Sequence, residues 1–331
     1  MSFHLVTIRV GEPDHAVDIP VYRELLSSVS PYFRGAFEGG FKEATNRTIP
    51  LTDVTEQTFR IFLSWANAQL QQSGPVPVPH LSILPRGPAA VAADGATAGD
   101  SRMDATEDDV DRSVTSAESL RQVLGTAFDE HGYQPWLVSD TKLCAMYYDD
   151  EAWVKNAKMS LVSYLNLYIF ADKYSVHQLR DDILTAMLGQ AFAWDWYPDP
   201  EADLLATAYD NLPNSARFLQ FLVVCTALFW LVAFDGDCTA RLRTLRQWQP
   251  DFAFEVSMKQ AQMLHKGHKN DDGVFVSYRD HLPNSCVFHE HLVCNANACR
   301  ERIKNKSHVF VELIEACAKD GISMVKEQEG E

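Results

Sequence analysis

The sequence predicts an α+β fold: short strands and helices near the N-terminus, a long insertion, then a mainly helical remainder. Three observations carry that expectation. Val6, Ile8 and Val10 alternate with Thr7 and Arg9, the two-residue period of a half-buried strand. From Val21 to Asp53, short amphipathic helices and a further strand are packed between turn signals. Far downstream, Leu161 to Leu188 carries apolar residues at helical spacing and reads as the helical partner of the same domain. The expected organisation is one domain from residues 3–70 plus 150–190, a disordered insertion over 71–134, and a mainly α-helical C-terminal region over 191–331.

The elements follow in order. After the first strand, Gly11-Glu12-Pro13-Asp14 reads as a turn and Ala16 to Ile19 as the returning strand. A first helix is expected over Arg23 to Ser27. Ser30-Pro31 then places a capping hydroxyl before a proline at the first helical position. Phe33, Ala36 and Phe37 share one face of that helix, and Gly39-Gly40 ends it. Thr48 to Leu51 is a short third strand whose Pro50 suits an edge. Asp53 with Glu56 reads as a capping pair opening the next helix, with Phe59, Phe62, Leu63, Ala66 and Leu70 as its apolar stripe.

From Ser73 onward the chain turns to Pro, Gly, Ala, Asp, Thr and Ser, with an acidic run at Asp104 to Ser113. Such a stretch cannot bury enough apolar surface to offset its ordering entropy. Order is expected again near Trp136. Leu161, Leu165, Tyr168 and Ile169 form one helical face ending at Asp172-Lys173, and Leu179, Ile183 and Met187 form the next. Asn211 to Asn214 breaks the pattern, and further helices are expected over Phe252 to Leu264 and Val309 to Lys319.

Composition excludes some partners. A formal charge of −16 argues against a phosphate backbone or an anionic membrane surface, both of which select clustered Lys and Arg. Seven cysteines without even spacing do not suggest a disulfide framework, and MSFHLVTIRV lacks a basic segment followed by an apolar one. A cytoplasmic or nuclear location is therefore expected. The apolar run from Phe218 to Phe234 is at the short end for a membrane span and contains Gln220, so a buried helix is expected there.

Glu24 to Ala44, ELLSSVSPYFRGAFEGGFKEA, resembles the signature of BTB/POZ domains, in the variety abundant in filamentous fungi. Ile49-Pro50-Leu51-Thr52-Asp53-Val54 continues the pattern, and LYIFADKYSVHQLRDDI from Leu167 to Ile183 resembles the later helix pair of that family. The resemblance implies a short sheet capped by helices that serves protein–protein contact. It further implies a substrate adaptor for a cullin-type ubiquitin ligase, or a self-associating or transcription-linked scaffold. Tyr22 stands where the family usually has histidine. The chain starts close to its first strand, so a homodimer is possible but the N-terminal strand that family dimers exchange is expected to be missing. The insertion follows the helix where adaptors often present a loop to the cullin.

For catalysis, GxSxG, HExxH, GxGxxG and P-loop patterns do not occur, and Asp149-Asp150-Glu151 and Asp181-Asp182 read as solvated faces. A non-enzymatic protein without a cofactor is expected, apart from one cluster. Cys286-x2-His289-x-His291-x2-Cys294-x4-Cys299 resembles a zinc knuckle, although both members of His-x-His cannot easily reach one metal. The competing reading is a histidine-bearing loop with cysteines buried as small hydrophobes. The phenylalanine stripes are expected to face the core. Helical phase then assigns the partner surface to Arg34, Glu38, Lys42, Gln57 and Arg60.

Overall fold

β1 (Leu5–Val10) is the middle strand of a three-stranded sheet. In the computed structural model, residues 4–70, 150–194, 200–232, 249–265 and 285–330 are described, with a few isolated positions between them. β2 (Val17–Tyr22) pairs antiparallel with β1, Ile8 opposite Ile19. β3 (Thr48–Leu51) pairs parallel on the other side, Ile8 opposite Ile49. β3 is thus an edge, which is where Pro50, without an N–H, costs least. Val6, Ile8, Val10, Ile19, Val21, Ile49 and Leu51 are buried on one face of the sheet.

Short helices cover that face. α1 (Arg23–Val29) leads directly into α2 (Pro31–Glu38), whose start is set by the Ser30 hydroxyl accepting the Phe33 amide at 3.2 Å. α3 (Lys42–Asn46) ends on Arg47 in the left-handed region, and β3 follows. α4 (Glu56–Leu70) buries Phe59, Phe62, Ala66 and also Trp65, which the expected stripe left out. Leu70, which the stripe included, is exposed, because the helix ends there. The cap also differs from the sequence reading. Thr55, not Asp53, accepts the Thr58 amide at 3.1 Å. Asp53 instead takes the Lys173 ammonium at 2.5 Å and the Tyr174 hydroxyl at 3.2 Å.

The remainder is helical: α5 (Asp150–Lys173), α6 (His177–Trp194), α7 (Ala202–Asn211), α8 (Arg217–Val232) and α9 (Pro250–His265), then a 3-10 turn at Ser285–Val287, α10 (Ala296–Asn305) and α11 (Ser307–Glu329). α11 extends ten residues beyond its expected end and packs along α5, α4 and α6. Gly321 permits the closest approach: a Cβ there would lie 2.6 Å from the Ser160 backbone nitrogen on α5. α8 holds the apolar run, with Phe218, Phe221, Leu222, Cys225 and Leu228 buried and α9 packed against it. Among the described residues no helix is long and apolar enough to cross a membrane.

The sequence reading sets a domain boundary after residue 190, but the buried residues form one continuous hydrophobic cluster from Val6 to Ala318. The insertion expected over 71–134, and the return of order near Trp136, lie outside the described residues.

Candidate functional site

The two sequence motifs that suggest an interaction domain touch each other. The Ser30 hydroxyl donates to the Tyr174 carbonyl at 2.7 Å, bridging a gap of 144 positions in sequence. Phe33 stacks on the Tyr174 ring at 5.8 Å and on Phe62 at 6.1 Å. Tyr174 can present that carbonyl because α5 ends in a tight turn with Ser175 left-handed, Val176 donating back to Ala171. One turn signal and one aromatic motif therefore position α2 against α5.

The five surface candidates are all exposed. Glu38 and Lys42 flank the Gly39-Gly40 corner, next to Phe41, which is 62% exposed. Arg34 is held by its own domain, donating Nε and Nη2 to the Ser27 carbonyl. Arg60 pairs with Glu56 one turn earlier on α4. Gln57 and Arg60 line a groove whose far wall is α11, through Glu312, Glu315, Ala316 and Lys319. No pattern in the sequence signals that wall.

A second constellation joins α6 to the chain after residue 285. Asp181 and Asp182, expected on a solvated face, are 3% and 1% exposed. Their neighbours supply the reason. Asp182 accepts both Nη atoms of Arg302 at 2.6 Å, the Trp65 indole N–H at 2.8 Å and Gln178 at 3.0 Å. Asp181 accepts the backbone amides of Glu290 at 2.9 Å and His291 at 3.3 Å. Arg180 pairs with Glu290 at 2.6 Å and with Asp172. A buried carboxylate is tolerated only with such partners, and here all but Gln178 come from elsewhere in the chain.

The Cys/His cluster sits on this joint. The ligand atoms of Cys286, His289 and His291 all lie within 4.8 Å of one another, and so do those of His291, Cys294 and Cys299. His289 Nε2 lies 2.9 Å from the Thr185 hydroxyl, and Nδ1 lies 3.2 Å from Cys299 Sγ. His291 has its backbone in the left-handed region and a buried Nδ1 without a hydrogen-bond partner. The Cys286 thiol is pulled down to about 4, first by the hydrogen bond from Cys299 and then by the two histidines, while Cys299 is pushed up by the same contact. Val287, Leu292 and Val293 of the same segment are exposed.

A three-stranded sheet with helices packed on one face, the second motif closing onto the first, and charged residues left outside make a small α+β domain. Residues 2–69 match the family model of the BTB/POZ domain, so the chain carries a BTB/POZ domain, a protein–protein interaction module. No curated protein and no solved structure matches the chain.

Proposed function

We infer that this chain is a non-catalytic interaction protein of the cytoplasm or nucleus, a substrate adaptor whose BTB/POZ domain docks on a cullin-type ubiquitin-ligase scaffold. The observation that supports it most is the match of residues 2–69 to a protein-interaction domain. The exposed corner of Glu38, Phe41 and Lys42 adds a surface of the right character, an aromatic residue among charges. The side chains of Glu38, Lys42 and Gln57 make no hydrogen bond among the described residues and would be free to bind a partner.

A self-associating scaffold is the second reading. It draws on α11, which walls one side of the groove beside Gln57 and Arg60, so a partner reading α4 must also accommodate Glu312 and Glu315. Affinity capture of the full chain from cytosol, beside the Glu38→Lys/Lys42→Glu variant, tests the adaptor reading. Cullin recovered with the parent and reduced at least roughly tenfold with the variant is expected for a charge-ringed hot spot. No cullin with either form, together with a dimer by light scattering, would replace the adaptor by the scaffold.

A further inference from the structure

The segment from Ser285 to Asn295 has little regular structure, a 3-10 turn and then a loop, yet its middle, His289 to His291, is held at each residue. Arg180 holds the Glu290 side chain, Asp181 holds the Glu290 and His291 amides, and Thr185 holds the His289 ring. These contacts all come from α6 and leave two triplets of sulfur and nitrogen donors, Cys286–His289–His291 and His291–Cys294–Cys299, each grouped within 4.8 Å and sharing His291. Thiols and imidazoles grouped in this way have poor mutual partners, since thiols donate weakly and the His291 Nδ1 has none.

We propose that this cluster binds one divalent cation of the zinc class, through the thiolates of Cys286, Cys294 and Cys299 and one imidazole of the His289-x-His291 pair. The donor chemistry selects the metal. Thiolate and imidazole ligands suit zinc in tetrahedral geometry, whereas magnesium and calcium require oxygen. Asp181, which faces this segment, is already occupied by two backbone amides, and the Glu290 carboxylate by Arg180. Spacing agrees, with two residues between Cys286 and His289 and four between Cys294 and Cys299. An outer shell is in place as well. With its proton on Nε2, His289 donates to Thr185 and turns the Nδ1 lone pair toward Cys299, the orientation that a metal-bound histidine takes from its second partner.

Three thiolates and an imidazole complete a tetrahedron and leave no open position, so the site is structural. The metal would fasten the loop to the first turns of α10, where Cys299 sits. Through Arg302 it would stabilise the contact of α10 with Asp182 and α4. It bears on how the C-terminal helices are held and is independent of which protein the BTB/POZ domain contacts.

The full chain, purified under reducing conditions after growth with zinc, provides the test. Elemental analysis should find about one zinc per chain, and cobalt exchange should give the visible absorption of thiolate-bound tetrahedral cobalt. Cys294→Ser and Cys299→Ser should lose the metal, and of His289→Ala and His291→Ala one should lose it and the other keep it. Leu292→Ser, at an exposed position of the same loop, should retain it. Chelation of the parent should lower its unfolding temperature, and zinc should restore it. Metal content near zero with no cobalt spectrum in the folded parent would overturn the proposal, as would a Cys286–Cys299 disulfide found in the reduced preparation.

Discussion

At the start of the chain, α2 meets the turn after α5 through rings: Phe33 against Tyr174 and Phe62, with one hydroxyl bond from Ser30 to the Tyr174 carbonyl. Near its end, the segment from Ser285 to Asn305 meets α6 through charges, amides and sulfur, with Asp181, Asp182 and Arg302 nearly enclosed. Apolar contact is graded: losing a ring costs its buried area and leaves the rest of the core intact. The charged joint is all-or-none, because removing one partner strands another buried charge. The two joints should therefore fail differently.

The largest effect is expected at Asp182. Asp182→Ala leaves the Arg302 guanidinium and the Trp65 indole without their shared acceptor. It should cost about 3–5 kcal/mol in urea unfolding. Adding Arg302→Met should recover much of that loss, since both charges are then gone; a double variant no more stable than Asp182→Ala would show that the pair is not the source.

Next comes Phe33→Ala, which empties a fully buried site between Phe62 and Tyr174. A loss of about 3 kcal/mol is expected, unchanged by chelator and unaffected by pH between about 5 and 8, since no titrating group is involved. A chelator-dependent loss would mean that the two joints are coupled. Ser30→Ala removes both the α2 cap and the bond to Tyr174. It should cost about 1–2 kcal/mol, read as a shift in the urea midpoint at constant slope.

The smallest effect lies at Asp53, which ties the loop before α4 to the end of α5. Burial raises its pKa, but the Lys173 ammonium and the Tyr174 hydroxyl more than offset that, so the folded value lies below the ordinary aspartate range. A depressed carboxyl contributes stability above its unfolded pKa and loses it as pH falls through the folded one. With the pair half exposed, Asp53→Asn should cost under about 1 kcal/mol at neutral pH. The difference from the parent should shrink as pH drops below about 4. A difference that grows with acidity would contradict the assigned partners.

Local patterning made the N-terminal half readable. Strand alternation, the Ser30-Pro31 helix start, Gly39-Gly40 and the edge proline are all signals within a few residues, and the three strands, α1, α2 and α4 fall close to where they place them, whereas α3 was not expected. The phenylalanines of α2 and α4 face the core as expected, with Leu63 partly buried beside them. The misreadings concern long-range partners. Asp53 looked like a cap because Glu56 follows it, but a competing hydroxyl at Thr55 was nearer the helix and Lys173 was free to pair. Asp181-Asp182 looked solvated because adjacent carboxylates usually are; Arg302 and the amides of Glu290 and His291 that justify their burial lie 109 to 120 residues away.

By itself the sequence determined the class of the N-terminal domain, the edge position of its third strand and the residues of the Cys/His cluster, because turn chemistry, periodicity and ligand type are properties of neighbours in the chain. Only the tertiary structure decided that α11 returns to pack on α4 and α5, that one core crosses residue 190, and that Asp181 and Asp182 anchor the cluster to α6. Those outcomes depend on which distant surfaces exclude water together, and a Cβ-free position such as Gly321 acquires its meaning only when another helix lies against it.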